Sequence, residues 1–311
     1  MYYLKNGIET YLLYTETQND NTNYTPEDFK VYNFNYILEK DIEDKKENVV
    51  IIPETRVRMI KNFNNIRKVI WWLSVDNYQK LYTFKKAIPC GFMHVLYLLK
   101  DGTLISHRKD YKKADYHLCQ SYYAIDFLQR KKVSNIAYLS DYINDTFMEE
   151  NANKQKSNKV LYNPKKGYRF TKRIIKRAND LEWVPIKNLT TTQVKELLLQ
   201  SKVYIDFGNH PGKDRFPREA TISGCIVITG KRGSAKFYED VPISDEFKFK
   251  DSIKNIDKIV TKIRECLDNY DTKIKEFDGY KEYIKGEKEQ FKKDIDTIFV
   301  KVGVSNEKID N

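Results

Sequence analysis

The chain is poor in the residues that usually announce a binding chemistry. Its 4 cysteines, Cys90, Cys119, Cys225 and Cys266, show no CxxC spacing. This excludes a zinc or disulfide framework and reads as reduced thiols in a cytosolic protein. His94, His107 and His117 lack metal-ligand spacing and no paired-Asp motif accompanies them, so no metal is implied. A GxGxxG run, the usual dinucleotide fingerprint, is missing. No apolar stretch approaches twenty residues and no secretory leader is evident, so the expectation is a chain that crosses no membrane. Zinc-finger, RNA-recognition and helix-turn-helix patterns are missing as well.

What the chain has in excess is positive charge. With 55 Lys and Arg against 44 Asp and Glu, the formal net charge is +11, which invites a polyanionic partner because such side chains neutralise phosphates without regard to base sequence. The distribution argues against nucleic acid, since the cations alternate with carboxylates through most helical stretches. A nucleic-acid-associated basic protein therefore stands as an alternative that charge alone supports. A basic surface equally suits a cytosolic enzyme held peripherally against an anionic leaflet, where lipid-linked acceptors are located. A coding bias toward Lys, Asn, Ile and Tyr would give part of the same excess. The densest clusters are Lys165–Lys176 and Lys213–Arg218.

At 311 residues two domains are expected, with room for a cleft between them. Apolar, β-branched runs predict strands at Thr10–Tyr14, Val49–Ile52, Lys68–Leu73, His117–Gln120 and Ile136–Leu139, with a helix over Ser121–Lys131. These make one Rossmann-like domain over residues 1–150. Residues 151–158 are polar and aperiodic and read as a linker. A second α/β series follows over 159–270: strands Lys159–Tyr162, Leu181–Pro185, Val203–Asp206 and Cys225–Thr229, with helices Tyr168–Asn179 and Thr191–Leu199. Alternation of this kind means parallel sheets covered on both faces. From Asp251 onward two amphipathic helices are expected.

The densest chemistry lies between Val203 and Gly233. A loop leaving a parallel strand faces the ligand crevice of an open α/β sheet, and here that loop carries His210, Gly212, Lys213, Asp214 and Arg215. Pro217 suits the first turn of the helix that follows. Free N–H groups at that helix start, with Lys213 and Arg215, form a candidate diphosphate cradle. Glu219, one turn in, is a candidate acceptor for ribose hydroxyls. Against this stands the plain structural reading, in which Glu219 pairs with Arg218 or Lys213.

The order Glu219, Ala220, Gly224, the apolar run Ile226–Thr229 and Gly233 resembles the donor-binding segment of retaining glycosyltransferases of the GT-B fold. The resemblance implies an α/β chain of two Rossmann-like domains with carboxyl-terminal helices. Residues 271–311 would supply the final helix, packing back toward the first domain, and the tail. It also implies metal-independent sugar transfer from a nucleotide donor to a glycan or lipid-linked acceptor in surface polysaccharide synthesis, with no separate cofactor. The family's second Glu, eight positions before Glu219, is here Pro211. The opening segment, Lys5–Ile8, resembles a helix end leading into the family's second strand, which implies that the first strand and helix are missing. These two departures support an alternative, a catalytically silent sugar-nucleotide or glycan-binding module. A homodimer is a further allowed partner.

Other candidates come from position. Asn163–Gly167 follows a strand, so Lys165 and Lys166 are candidates for the donor phosphates and Gly167 for close backbone approach, against a plain turn with solvated lysines. Ile186 follows the next strand, where the resemblance places the base. Asp76 lies at the carboxyl end of VIWWLSVDNY and is a candidate general base; a helix cap by Ser74 or Asp76 is the commoner use. His210 is placed near the transferred sugar. Asp141, Tyr142 and Asn144 border the exit from the first domain.

Overall fold

Apolar runs become strands where both faces of a sheet can be covered, and this chain does so twice. The computed structural model describes residues 9–14, 30, 33–105, 107, 109–149 and 155–301. The expected helix end at Lys5–Ile8 and residues 151–154 of the expected linker lie outside them. Strands β1 (Leu12–Tyr14) and β2 (Tyr36–Leu38) form a small parallel pair of their own. The first large sheet consists of β3 (Val49–Pro53), β4 (Arg67–Trp72), β5 (Tyr116–Cys119) and β6 (Ile136–Tyr138), all parallel and in that order. Ile70 sits across from Ile52 on one side and His117 on the other.

The second sheet contains β7 (Ser157–Tyr162), β8 (Glu182–Pro185), β9 (Ser201–Asp206), β10 (Ile226–Gly230) and β11 (Lys248–Phe249), parallel in the order β11-β10-β9-β7-β8. Counted from β7 this is a 2-1-3-4-5 arrangement. Its connections leave in opposite directions from between β7 and β9, which makes that gap the switch point where a doubly wound sheet binds ligands. Strand β7 starts at Ser157, so it takes in two residues expected to belong to the linker.

Among the described residues the longer helices are α1 (Val75–Tyr82), α2 (Phe92–Lys100), α3 (Tyr122–Arg130), α4 (Tyr168–Arg177), α5 (Thr191–Leu199), α6 (Arg215–Ile222), α7 (Ile256–Asp268) and α8 (Asp278–Lys301). Their starts follow local chemistry. Ser74 Oγ accepts from the Asn77 N–H at 3.1 Å, so Ser74 and not Asp76 caps α1. Thr190 and Gln193 close a reciprocal capping box at α5. Helices α4 and α7 pack together, and α6 packs against α8.

The two halves are joined by polar and apolar layers. Ile295, Ile298 and Phe299 of α8 pack with Val69, Leu118 and Leu139 of the first half. Closer to the loops, Asp240 accepts from the Tyr122 and Tyr123 N–H groups at 2.8 and 3.0 Å, so a carboxylate from one half caps a helix of the other. Burial pushes the Asp240 carboxyl up to about 6, against the lowering effect of those two N–H donors.

Candidate functional site

The loops after β7 and β9 touch through glycine backbones. A Cβ on Gly167 would strike the Phe207 carbonyl, and one on Gly208 would strike the Gly167 backbone. Gly167 also caps α4 with φ 61°, in the left-handed region that glycine enters without cost. This contact brings Lys166 of one loop against Asp206, His210 and Asp214 of the other.

The Lys166 Nζ lies 2.9 Å from the Asp206 carboxylate, 3.0 Å from His210 Nδ1 and in direct contact with Asp214. His210 Nδ1 is 2.8 Å from Asp214 Oδ2, and its Nε2 is 3.2 Å from the Asp206 carbonyl. Burial alone would lower the Lys166 ammonium, but the Asp206 and Asp214 carboxylates outweigh it and hold the group charged above its ordinary range. Burial likewise works to raise Asp214, and the His210 hydrogen bond and the Lys166 charge overcome it and hold the acid below its ordinary range. Ligand atoms of Asp206, His210 and Asp214 all lie within 4.8 Å of one another, a set able to hold a metal ion. Sequence spacing did not suggest it. The centre of that set is taken by the ammonium of Lys166, so the site carries its own cation.

Beside this cluster opens a crevice of about 230 Å³, lined by Asn163, Lys166, Asp206, Asp214, Arg215, Phe216 and Glu219. Glu219 is 7% exposed, and burial pushes its carboxyl up, opposed by Arg215 and Arg218. No hydrogen bond from a described residue reaches that carboxylate, so it is an acceptor turned toward open space. Arg215 is exposed at the mouth. A larger cavity of about 490 Å³ is lined by Gly167, Tyr168, Arg169, Phe170, Arg173, Arg232 and Asp251. Sequence reading passed over Arg169, Arg173 and Arg232, whose signal was only membership of a basic run or a glycine turn.

The remaining candidates do not meet at this crevice. Lys165 is exposed on the turn, where its N–H is held by Asn163 Oδ1 at 2.9 Å. Ile186 is buried in the core of the second half and its N–H is taken by the Tyr162 carbonyl at 2.9 Å. His210 is fully enclosed, so it faces the crevice only through Lys166 and Asp214. Asp76 is buried in the first half and accepts from the Tyr123 hydroxyl at 2.9 Å.

Lys213 points elsewhere. Asp214 is extended (φ −64°, ψ 140°), so neighbouring side chains leave on opposite sides, Asp214 to the crevice and Lys213 to the layer between the halves. There the Lys213 ammonium meets Glu287 at 2.8 Å, Tyr283 at 2.8 Å and Ser140 at 2.9 Å. Arg218 is fully buried in the same layer and bridges Asp141 at 2.7 Å and Glu287 at 2.9 Å. Gly212 fits there because a Cβ would collide with the Leu73 carbonyl of the first half.

No protein-family model matches the chain and no curated protein matches it in sequence. Solved structures do match in shape. S. aureus TarM, in complex with fondaparinux, α-GlcNAc-glycerol and UDP, superposes with a TM-score of 0.59 at 16% identity, over 86% of this chain and 57% of its own. Sucrose-phosphate synthase from Thermosynechococcus elongatus gives 0.57 at 12% identity, over 93% and 83%. The pneumococcal O-GlcNAc transferase GtfA, with UDP and GlcNAc, gives 0.52 at 13%, over 84% and 58%. The chain thus spans a little over half the length of two of these three structures. The class defined by this likeness and by the two parallel sheets is the GT-B fold of two Rossmann-like domains, as the sequence resemblance implied.

Proposed function

We propose that the protein is a glycosyltransferase that binds a nucleotide-sugar at the β7/β9 switch point and moves the sugar to a glycan or lipid-linked acceptor. The observation that carries this reading is the Glu219 carboxylate, buried, without a donor among the described residues and facing a crevice with Lys166 and Arg215 at its rim. A ribose offers two adjacent hydroxyl donors to such an acceptor, and charge-assisted bonds of this kind are the strong ones. Lys166 and Arg215 then neutralise the leaving diphosphate, the backbone at Gly167 allows its close approach, and Lys165 adds charge from the turn. Preorganised cations of this sort stabilise developing charge without reorganising, so the transfer calls on no metal. Lys213 acts from behind, holding the loop that presents Asp214 and Arg215. In this reading residues 1–150 present the acceptor and 159–270 hold the donor, with 271–311 tying the two together.

That UDP is bound in TarM and GtfA supports the donor class. Thermal-shift screening against nucleoside diphosphates and their sugars is the direct test, because a ligand at 100 times its Kd stabilises the fold by about 2.7 kcal/mol. Selective stabilisation by one nucleoside diphosphate is expected; a flat response across the panel would remove the donor site.

A second reading, a binding module without turnover, is favoured by the enclosure of His210 and the engagement of Asp76, which leave neither at the crevice. Donor binding without transfer or hydrolysis of the sugar would establish it.

A further inference from the structure

The first half carries an apolar surface that the donor site does not use. It runs through α2 and its flanks, where Ile88, Phe92, Met93, Tyr97 and Ile105 are 63–78% exposed and Leu96 is 47% exposed. Phe92, Met93, Leu96 and Tyr97 fall at i, i+1, i+4 and i+5 and so share one stripe of the helix. The opposite side is anchored by Leu98, which packs with Ala87 and Leu104 and draws in Val95 and Leu99. Helix α2 is therefore apolar on both sides while lying at the surface, and a contiguous patch of this kind marks an interaction site.

The charges along the stripe are of one sign, and Asp101 at the end of α2 is paired with Arg58. From Asn77 to Lys100 there is no Asp or Glu, while Lys80, Lys85, Lys86 and Lys100 are all exposed. This differs from the carboxyl-terminal helices, where Lys262, Lys273, Lys281, Lys285 and Lys292 are paired with carboxylates. Large apolar side chains with aromatic members, inside a fringe of unneutralised lysines, match the two layers of a bilayer surface: acyl boundary below and anionic headgroups above. No helix of the described residues is long and apolar enough to cross a membrane, so such an element would lie in the interface.

We infer that residues 84–105, centred on α2, dock the protein onto an anionic lipid bilayer. This deepens the functional reading, since a lipid-linked acceptor is met only at such a surface. The segment follows α1, which is reached from β4 through Leu73, and the Leu73 carbonyl abuts Gly212 of the site loop.

The test is co-sedimentation of the full chain with vesicles of phosphatidylcholine mixed with phosphatidylglycerol, and with vesicles of phosphatidylcholine alone. Preferential binding to the anionic vesicles is expected. The doubly substituted Phe92→Ser/Met93→Ser protein should lose it by about tenfold or more, as should Lys85→Glu/Lys86→Glu. All four side chains are exposed, and unchanged circular dichroism would confirm that the variants fold. Binding of UDP, measured by calorimetry without vesicles, should be the same in all three proteins, so failure of the donor site and failure of the docking surface are told apart. Equal recovery of parent and variants with anionic vesicles, or none with either vesicle, would overturn the inference. So would a concentration-dependent dimer in sedimentation equilibrium that Phe92→Ser/Met93→Ser abolishes, because the stripe would then be covered by a second copy.

Discussion

Lys166 and Lys213 both lie in loops that follow strands of the second sheet, each ammonium is held by carboxylate, and they differ in what lies beside them. Lys213 and its partner Glu287 are 1% and 4% exposed in their side chains, and the space around them is filled by Tyr138, Tyr283 and Arg218. Lys166 is 17% exposed and Asp214 is 23% exposed, and together they line an open crevice. The first cluster has no route for a ligand and serves to join the halves. The second holds its charge at a boundary where an anion can approach, so similar chemistry is structural in one place and suited to binding in the other.

The comparison is broken most severely by removing a partner from the closed cluster. Arg218→Ala leaves Glu287 and Asp141 without their guanidinium, and a buried pair broken on one side costs about 3–5 kcal/mol. Urea unfolding should show that loss, while the folded fraction keeps its affinity for a nucleoside diphosphate.

Glu219→Gln at the open crevice should do the reverse. Affinity for a nucleoside diphosphate should fall by about 1.5–3 kcal/mol in calorimetry. Stability should hold or rise slightly at neutral pH, because a carboxyl raised by burial contributes stability below its unfolded pKa and loses it as pH rises through the folded one. An unchanged dissociation constant would remove Glu219 from the site.

Lys166→Ala sharpens the contrast through its vacated centre. Asp206, His210 and Asp214 then lack their cation, and Mn²⁺ or Zn²⁺ should stabilise the variant by about 1–3 kcal/mol in a thermal shift while leaving the parent unmoved. Equal shifts in both proteins would show that the ammonium does not occupy the cation position.

A pH-dependent effect belongs to Asp240, which joins the halves outside both clusters. Its folded pKa of about 6 lies above the ordinary 3.8, so its contribution is full below about pH 4 and is lost as pH rises through 6. Relative to Asp240→Asn, the parent should lose about 2 kcal/mol between those limits, read from unfolding curves across that range.

The sheets were legible because a strand buried on both faces must be a short apolar run, and Val69–Trp72 or Ile226–Thr229 have no other way to read. Helix α5 was legible from Thr190 and Gln193, which mark its start locally. The Lys166 cluster was not, since its members come from loops forty residues apart and meet only because two glycines let the backbones touch. Lys213 was assigned to the phosphates by its neighbours in sequence, whereas one extended residue, Asp214, decides which side it leaves on. Helix α2 escaped notice because its two apolar sides give it little amphipathic period, and that same property marks it as a docking surface. The placement of Glu219 at a crevice was legible because a carboxylate one turn into a helix that follows a parallel strand is a local signal.

The closure of α8 over the first sheet also has a consequence for synthesis. Ile295 follows the last strand of that sheet by about 150 residues, and at about 5–20 residues per second on the ribosome the wait is about 8–30 seconds. Throughout that interval Val69, Leu118 and Leu139 have no cover, so the half made first is the half finished last. A nascent chain of this protein should therefore depend on holding factors early in translation and release them only when the final helix emerges.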